Sequence, residues 1–170
     1  MKNIKDSIDI ESMLNSVYEE VMWLADRPNT PPAAARSWYT HVVSNRLRRH
    51  IRKFTGMVSR RALEPNAVLR LEHFKRLQTT LTQLVADHHK RGVKDPQEFI
   101  RVVKECEQVH IVTFQENYDA MKSDGDYIKA GISLVNWKDI TPAIQHELLK
   151  VLRGRVSNAE DFALEQKTPA

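Results

Sequence analysis

The prolines of this chain fall between its periodic apolar segments, never inside them, and only five glycines interrupt 170 residues. Such sparse punctuation favours helices with clean ends over many short strands, because strand-rich chains carry turn signals every few residues. Ile10, Met13, Leu14, Val17, Tyr18, Val21 and Leu24 recur every three to four positions behind Asp9. This spacing predicts an amphipathic helix of about four turns with Asp9 as its N-cap. Thr30-Pro31-Pro32 reads as a second start, and that helix is expected to run to about Arg61, with a break admitted at Thr55-Gly56. Ala67, Leu71, Phe74, Leu77, Leu81, Leu84 and Val85 predict a third helix, closed by His88, His89, Lys90 and Arg91 before Gly92.

Asp95-Pro96-Gln97-Glu98 is the best helix boundary, with Asp95 placed to cap, Pro96 at the first helical position and Glu98 completing a capping box. The fourth helix is expected to continue through Phe99, Val103, Cys106, His110, Phe114 and Met121, although Val109–Phe114 is β-prone. A fifth starts at Thr141-Pro142, carries Ile144, Leu148, Leu149 and Leu152, and stops at Gly154; Ser157 and Glu160 bracket a last short one. The expectation is therefore an all-α fold, a bundle of five or six helices in one domain over 1–170. It includes a strand-like break near 109–114 and flexible ends at about 1–7 and 167–170. No apolar run approaches the roughly 18 residues of a membrane span. Neither a secretory leader nor a second cysteine beside Cys106 is present, so a cytoplasmic protein is expected.

The formal net charge of +4 conceals a segregation. Arg27, Arg36, Arg46, Arg48, Arg49, Arg52, Lys53, Arg60 and Arg61 occupy a stretch from Arg27 to Leu63 that holds no acid. All 22 acidic residues lie outside it, where they outnumber the remaining cations. On a helix turning about 100° per residue, Val43, Leu47, Ile51, Phe54 and Val58 share one stripe, and Arg46, Arg49, Lys53 and Arg60 gather on the other side beside Arg48 and Arg52. Guanidinium forks suit phosphate oxygens, and a row of cations beside a rod-like polyanion gains by releasing counterions. The segment 36–61 is thus expected to bind the phosphate backbone of a nucleic acid through Arg46, Arg49, Arg52, Lys53 and Arg60. Trp38, on the basic side of the wheel, is available to stack on a base. Two alternatives use the same residues. The arginines are met by the chain's own Glu19, Glu20, Glu105, Glu107 and Glu116 as a solvated face, or the face receives an acidic protein partner or a second copy of the chain.

Three constellations carry chemistry of their own. Arg36-Ser37-Trp38-Tyr39-Thr40-His41 has an R-x4-H spacing and in this resembles the HEPN ribonucleases, which are small helical bundles. The resemblance implies a metal-independent ribonuclease in which Arg36 and His41 flank a scissile phosphate, with Ser37 departing from the usual residue after the arginine. Glu107-Gln108-Val109-His110 supplies half of a carboxylate-bridged di-metal site with no second half in the chain. Cys106, His110, Thr113 and Asn117 would form a polar line on a buried helix face, either a hydrogen-bonded core histidine beside a small thiol or a Cys–His pair in a pocket. No glycine-rich phosphate loop, CxxC pair, HExxH or G-x-S-x-G elbow occurs, so no cofactor or metal is expected and no catalytic residue is assigned.

Overall fold

The computed structural model describes residues 9–43 and 45–163, with the side chains of Asn45 and Arg46 outside the description; the ends expected to fray also lie outside it. The all-α bundle is overturned: the chain is mixed α/β, with seven α-helices and a four-stranded mixed sheet among the described residues. It is organised as two compact units. Residues up to Arg48 with Leu77–Lys104 make one, and Arg49–Arg76 with the chain from Glu105 make the other.

The first unit is helical. α1 (Ile10–Ala25) starts where the sequence places it, with the Asp9 carboxylate accepting from the Ser12 amide. α2 (Pro32–Val42) follows the Pro31-Pro32 start, but it ends at Val42; α3 (Asn45–Ile51) is a separate short helix. α4 (Leu77–Arg91) and α5 (Pro96–Cys106) complete the set. Leu14, Val17, Val21, Ala35, Tyr39, Leu81, Val85, Phe99 and Val103 are buried, and Tyr18 and Tyr39 pack their rings against Phe99 at 5.2 and 6.3 Å. The capping box at Asp95 forms by half. Asp95 Oδ1 accepts from the Glu98 amide, whereas the Glu98 carboxylate turns to His88 and the Asp95 amide donates to Tyr18 Oη.

The second unit holds the sheet, in the order β2-β3-β1-β4, with β1 (Lys53–Ser59), β2 (Leu69–His73), β3 (Gln108–Thr113) and β4 (Leu134–Asn136). β1 and β3 run parallel in the centre, which requires a long crossover; β2 and β4 are antiparallel edges. Three of the strands, β1, β2 and β3, replace segments expected to be helical. The segment to Arg61 becomes a strand from Lys53, because Phe54, Gly56 and Val58 alternate inward and β1 is buried in that rhythm. Ala67–Phe74 contains β2, introduced by the left-handed Asn66 after Pro65. The fourth helix breaks into α5, then β3, then α6 (Phe114–Lys122), whose Thr113–Glu116 capping box closes the helix start. The strand-like break near 109–114 is therefore a full central strand.

Phe54, Val58, Val109 and Ile111 pack with Trp137, Ile140, Val156 and the Leu148, Leu149 and Leu152 stripe of α7 (Pro142–Leu152). The alternate positions face a second, more polar layer: Ser59 donates to Glu116, and Glu72 stands opposite His110 across β2 and β3. The edge of β1 beyond β4 is closed by a side chain, since Asn158 accepts from the Phe54 amide and donates to its carbonyl, both at 2.9 Å. Among the described residues no helix is long and apolar enough to cross a membrane.

Candidate nucleic-acid interface

The cations do not form one helical row, because the helix that would carry them does not exist. Arg49 lies on α3, Lys53 opens β1, and Arg60 and Arg61 follow its end. All four belong to the sheet unit, all are exposed, and none meets a carboxylate among the described residues. Arg49 Nε donates instead to the neighbouring His50 ring, and the Arg60 amide is held by Ser133 O. Arg52 is the exception at this surface: it is 18% exposed, and its Nε lies 3.5 Å from the fully buried Glu107 carboxylate, which also takes His73 Nε2 at 2.9 Å. Its role is therefore structural, one half of an internal ion pair. The Arg46 side chain lies outside the described residues.

Beyond the acid-free stretch the pattern reverses. Lys75 meets Glu105, Arg91 meets Asp87, Lys104 meets Glu11, Lys150 meets Glu147, and Arg153 meets Glu160. Of the five glutamates that could have answered the basic face, Glu107 takes Arg52, Glu105 takes Lys75, Glu116 closes its own capping box and Glu20 takes the Trp38 indole N–H. Folding thus leaves the segregation of charge in place.

Trp38 is 39% exposed on α2 and belongs to the helical unit, so it does not join Arg49, Lys53 and Arg60 in one unit. Arg36 donates from Nε to Thr82 Oγ1, a packing contact between α2 and α4; His41 is exposed on α2. Five positions on a helix turn these two side chains well over 90° apart, and no contact joins them among the described residues. Cys106, His110, Thr113 and Asn117 share no face either. Cys106 ends α5, His110 and Thr113 lie on β3, and Asn117 lies on α6. Glu107 and His110 are likewise apart in role, and among the described residues no group of three or more His, Cys, Asp and Glu side chains is placed to hold a metal ion.

Two buried polar networks join residues distant in the chain; the sequence offered His110 as a hydrogen-bonded core histidine, but its partners and the His88 network escaped it. In the helical unit Tyr18 Oη lies 2.7 Å from His88 Nδ1, and His88 Nε2 lies 2.8 Å from Glu98. Tyr18 Oη accepts from the Asp95 amide, so its own proton points to Nδ1 and His88 donates through Nε2 to the carboxylate. Burial raises the Tyr18 phenol above its usual range, which keeps that proton in place. In the sheet unit Phe74 stacks on His110 at 5.0 Å, Tyr127 meets it edge-on, and Thr55 Oγ1 lies 2.6 Å from His110 Nδ1. Burial lowers His110 to about 4 and raises the Glu72 carboxyl, which accepts from the Tyr127 hydroxyl. A neutral imidazole under aromatic rings is a packed core group.

No protein-family model, curated protein or solved structure matches the chain.

Proposed function

We propose that this protein is a non-enzymatic nucleic-acid-binding module that grips the phosphate backbone through Arg49, Lys53, Arg60 and Arg61. One observation carries the reading: these cations remain exposed and meet no carboxylate among the described residues, whereas many cations elsewhere, such as Lys75, Arg91 and Lys104, are paired with acids. Their spread favours a polymer over a small anion. Lys53 and Arg60 stand at opposite ends of β1, about 20 Å apart at strand rise, and that length of duplex axis carries on the order of a dozen charges. The test is retention of a labelled oligonucleotide at low salt by the wild type and by Arg49→Glu plus Arg60→Glu. Both sites are on the surface, so the variant keeps the fold. Loss of retention in the variant is expected; retention that is absent in the wild type, or equal in both, removes the proposal.

A protein-contact reading has its own observation. Phe114, Tyr118 and Met121 are exposed at spacings of four and three along α6, with Arg70 over the Phe114 ring and Lys122 over the Tyr118 ring. Light scattering over a wide concentration range tests the self-association form of it: a mass that rises with concentration supports it, and a constant monomer mass contradicts it.

A further inference from the structure

Of the two edge strands, β2 leaves its outer side open. The Phe114 amide donates to Val68 O at 2.7 Å, and the antiparallel register with β3 runs unbroken from Leu69 opposite Thr113 to His73 opposite Val109. Main-chain groups in such a ladder alternate in direction. Arg70 and Glu72 therefore bond to β3, while Leu69, Leu71 and His73 turn their main-chain N–H and C=O groups outward. Among the described residues none of these outward groups takes a hydrogen bond.

Proteins usually shorten, bulge, charge or cover such an edge, because unpaired amides in a row are a template for another strand. At the opposite edge β4 is only three residues long, and Asn158 closes β1 beyond it. β2 carries none of these devices. It has five residues, no bulge, and the half-buried Leu69 and Leu71 on its core-facing side. Val68, just before it, is 65% exposed. Beside it, under the Arg70 guanidinium, stands Phe114, the first of the exposed Phe114, Tyr118 and Met121 row on α6. Open amides and uncovered apolar side chains thus meet at one edge.

The sequence of the strand selects its occupant. Antiparallel pairing with a second copy, about a two-fold axis at Leu71, sets Leu71 against its own counterpart, Leu69 against His73 of the second copy and Arg70 against Glu72 of the second copy. Every outward group then bonds, for a total of about six main-chain hydrogen bonds. A slip of one bonding step in either direction puts Arg70 opposite Arg70 or Glu72 opposite Glu72, and like charges directly opposite destabilise a pair. Only the register centred on Leu71 uses the whole strand and opposes unlike charges.

We infer that this chain forms a two-fold dimer through the outer edge of β2, which joins the two sheets into one. The axis stands perpendicular to the sheet, so both α6 helices lie on the same face, each with its Phe114 ring beside the seam. This inference rests on the protein-contact reading above, to which it gives a partner and a register. It uses none of Arg49, Lys53, Arg60 and Arg61.

The experiment follows the full chain over a wide concentration range by light scattering, with amide exchange read by NMR on the same samples. The mass is expected to rise to that of a dimer and stop there, because a two-fold contact closes on itself. Over the same range the amides of Leu69, Leu71 and His73 slow in exchange, whereas those of Arg70 and Glu72, already bonded to β3, do not change. Arg70→Glu, at an exposed position, opposes acid to acid twice and is expected to raise the dimer dissociation constant about tenfold. Leu71→Pro removes the central outward N–H and is expected to abolish the dimer; Arg70→Glu keeps the test decisive where the proline unfolds the strand. A dimer that forms equally well in Arg70→Glu, or whose three outward amides exchange as in the monomer, overturns the inference and leaves self-association to another surface. Growth beyond a dimer overturns it as well, as does protection of the three amides that is independent of concentration. A constant monomer mass removes both the inference and the self-association reading beneath it, and leaves the edge to an extended segment of another protein.

Discussion

The helical unit and the sheet unit both carry surface ion pairs, Lys104–Glu11 in the first and Lys150–Glu147 and Arg153–Glu160 in the second. They differ around their buried groups and at the basic stretch. In the helical unit a fully buried histidine is answered on both ring nitrogens, by Tyr18 and by Glu98, and surface cations such as Lys104 and Arg91 sit on carboxylates. In the sheet unit Arg49, Lys53, Arg60 and Arg61 are unanswered at the surface, and the outward amides of β2 are unanswered at its edge. Satisfied groups hold a fold together and leave little for a ligand to gain. Unsatisfied ones persist where something else completes them, so the chemistry of this protein is expected in its sheet unit.

The largest test of this contrast is His88→Ala. It leaves the buried Tyr18 hydroxyl proton without its acceptor, takes one partner from Glu98, which keeps Arg101, and leaves a void, which together cost about 3 kcal/mol. Urea unfolding should show that loss while oligonucleotide retention by the folded fraction stays the same. A cost near zero would mean that the helical unit does not rely on its network.

His110 gives the sheet unit an acid limit. Folded, its pKa is lowered to about 4 from 6.5 by burial. Between these values the unfolded chain binds more protons, so stability is full above about pH 6.5 and falls as the pH drops toward 4. At pH 5 the loss is about 2 kcal/mol relative to pH 7. Glu72 acts with the opposite sign, because its raised carboxyl favours the folded state at low pH. The effect is therefore read as the difference between wild type and His110→Gln, unfolded in urea at pH 7 and pH 5. An equal response of the two proteins contradicts the buried neutral imidazole.

Asn158→Ala removes both bonds to the Phe54 backbone and exposes that edge of β1. It should cost about 1–2 kcal/mol, with faster amide exchange at Phe54; unchanged exchange would show that the edge is closed by other means. Smallest of all is Lys104→Ala, which breaks an exposed pair with Glu11. Its unfolding midpoint should not move measurably.

What the sequence disclosed follows the same divide. α1 and α7, and the start of α5, are legible because caps and prolines mark their starts and apolar positions keep a helical period; the end of α5 at Cys106 was not. The strands are not. Val43, Leu47, Ile51, Phe54 and Val58 fit a helical stripe by spacing alone, yet the last two belong to a strand, since a short apolar run fits either period. Val109–Val112 is buried on both faces and so shows no alternation, the mark of a central strand that periodicity does not separate from a buried helix segment. The acid-free stretch from Arg27 to Leu63 was visible from composition, whereas its geometry was not: the row dissolves into a short helix, a strand and a turn. The open edge of β2 carried no sequence signal, because strand order is a property of the whole sheet.

The central claim is that folding leaves the cations around β1 without home partners, and the salt dependence of duplex DNA binding tests it most directly. Four phosphate contacts predict a slope of log Kobs against log salt of about −3.5, reduced by about 2 in Arg49→Glu plus Arg60→Glu. A slope near zero, or one that the double variant leaves unchanged, would contradict the account.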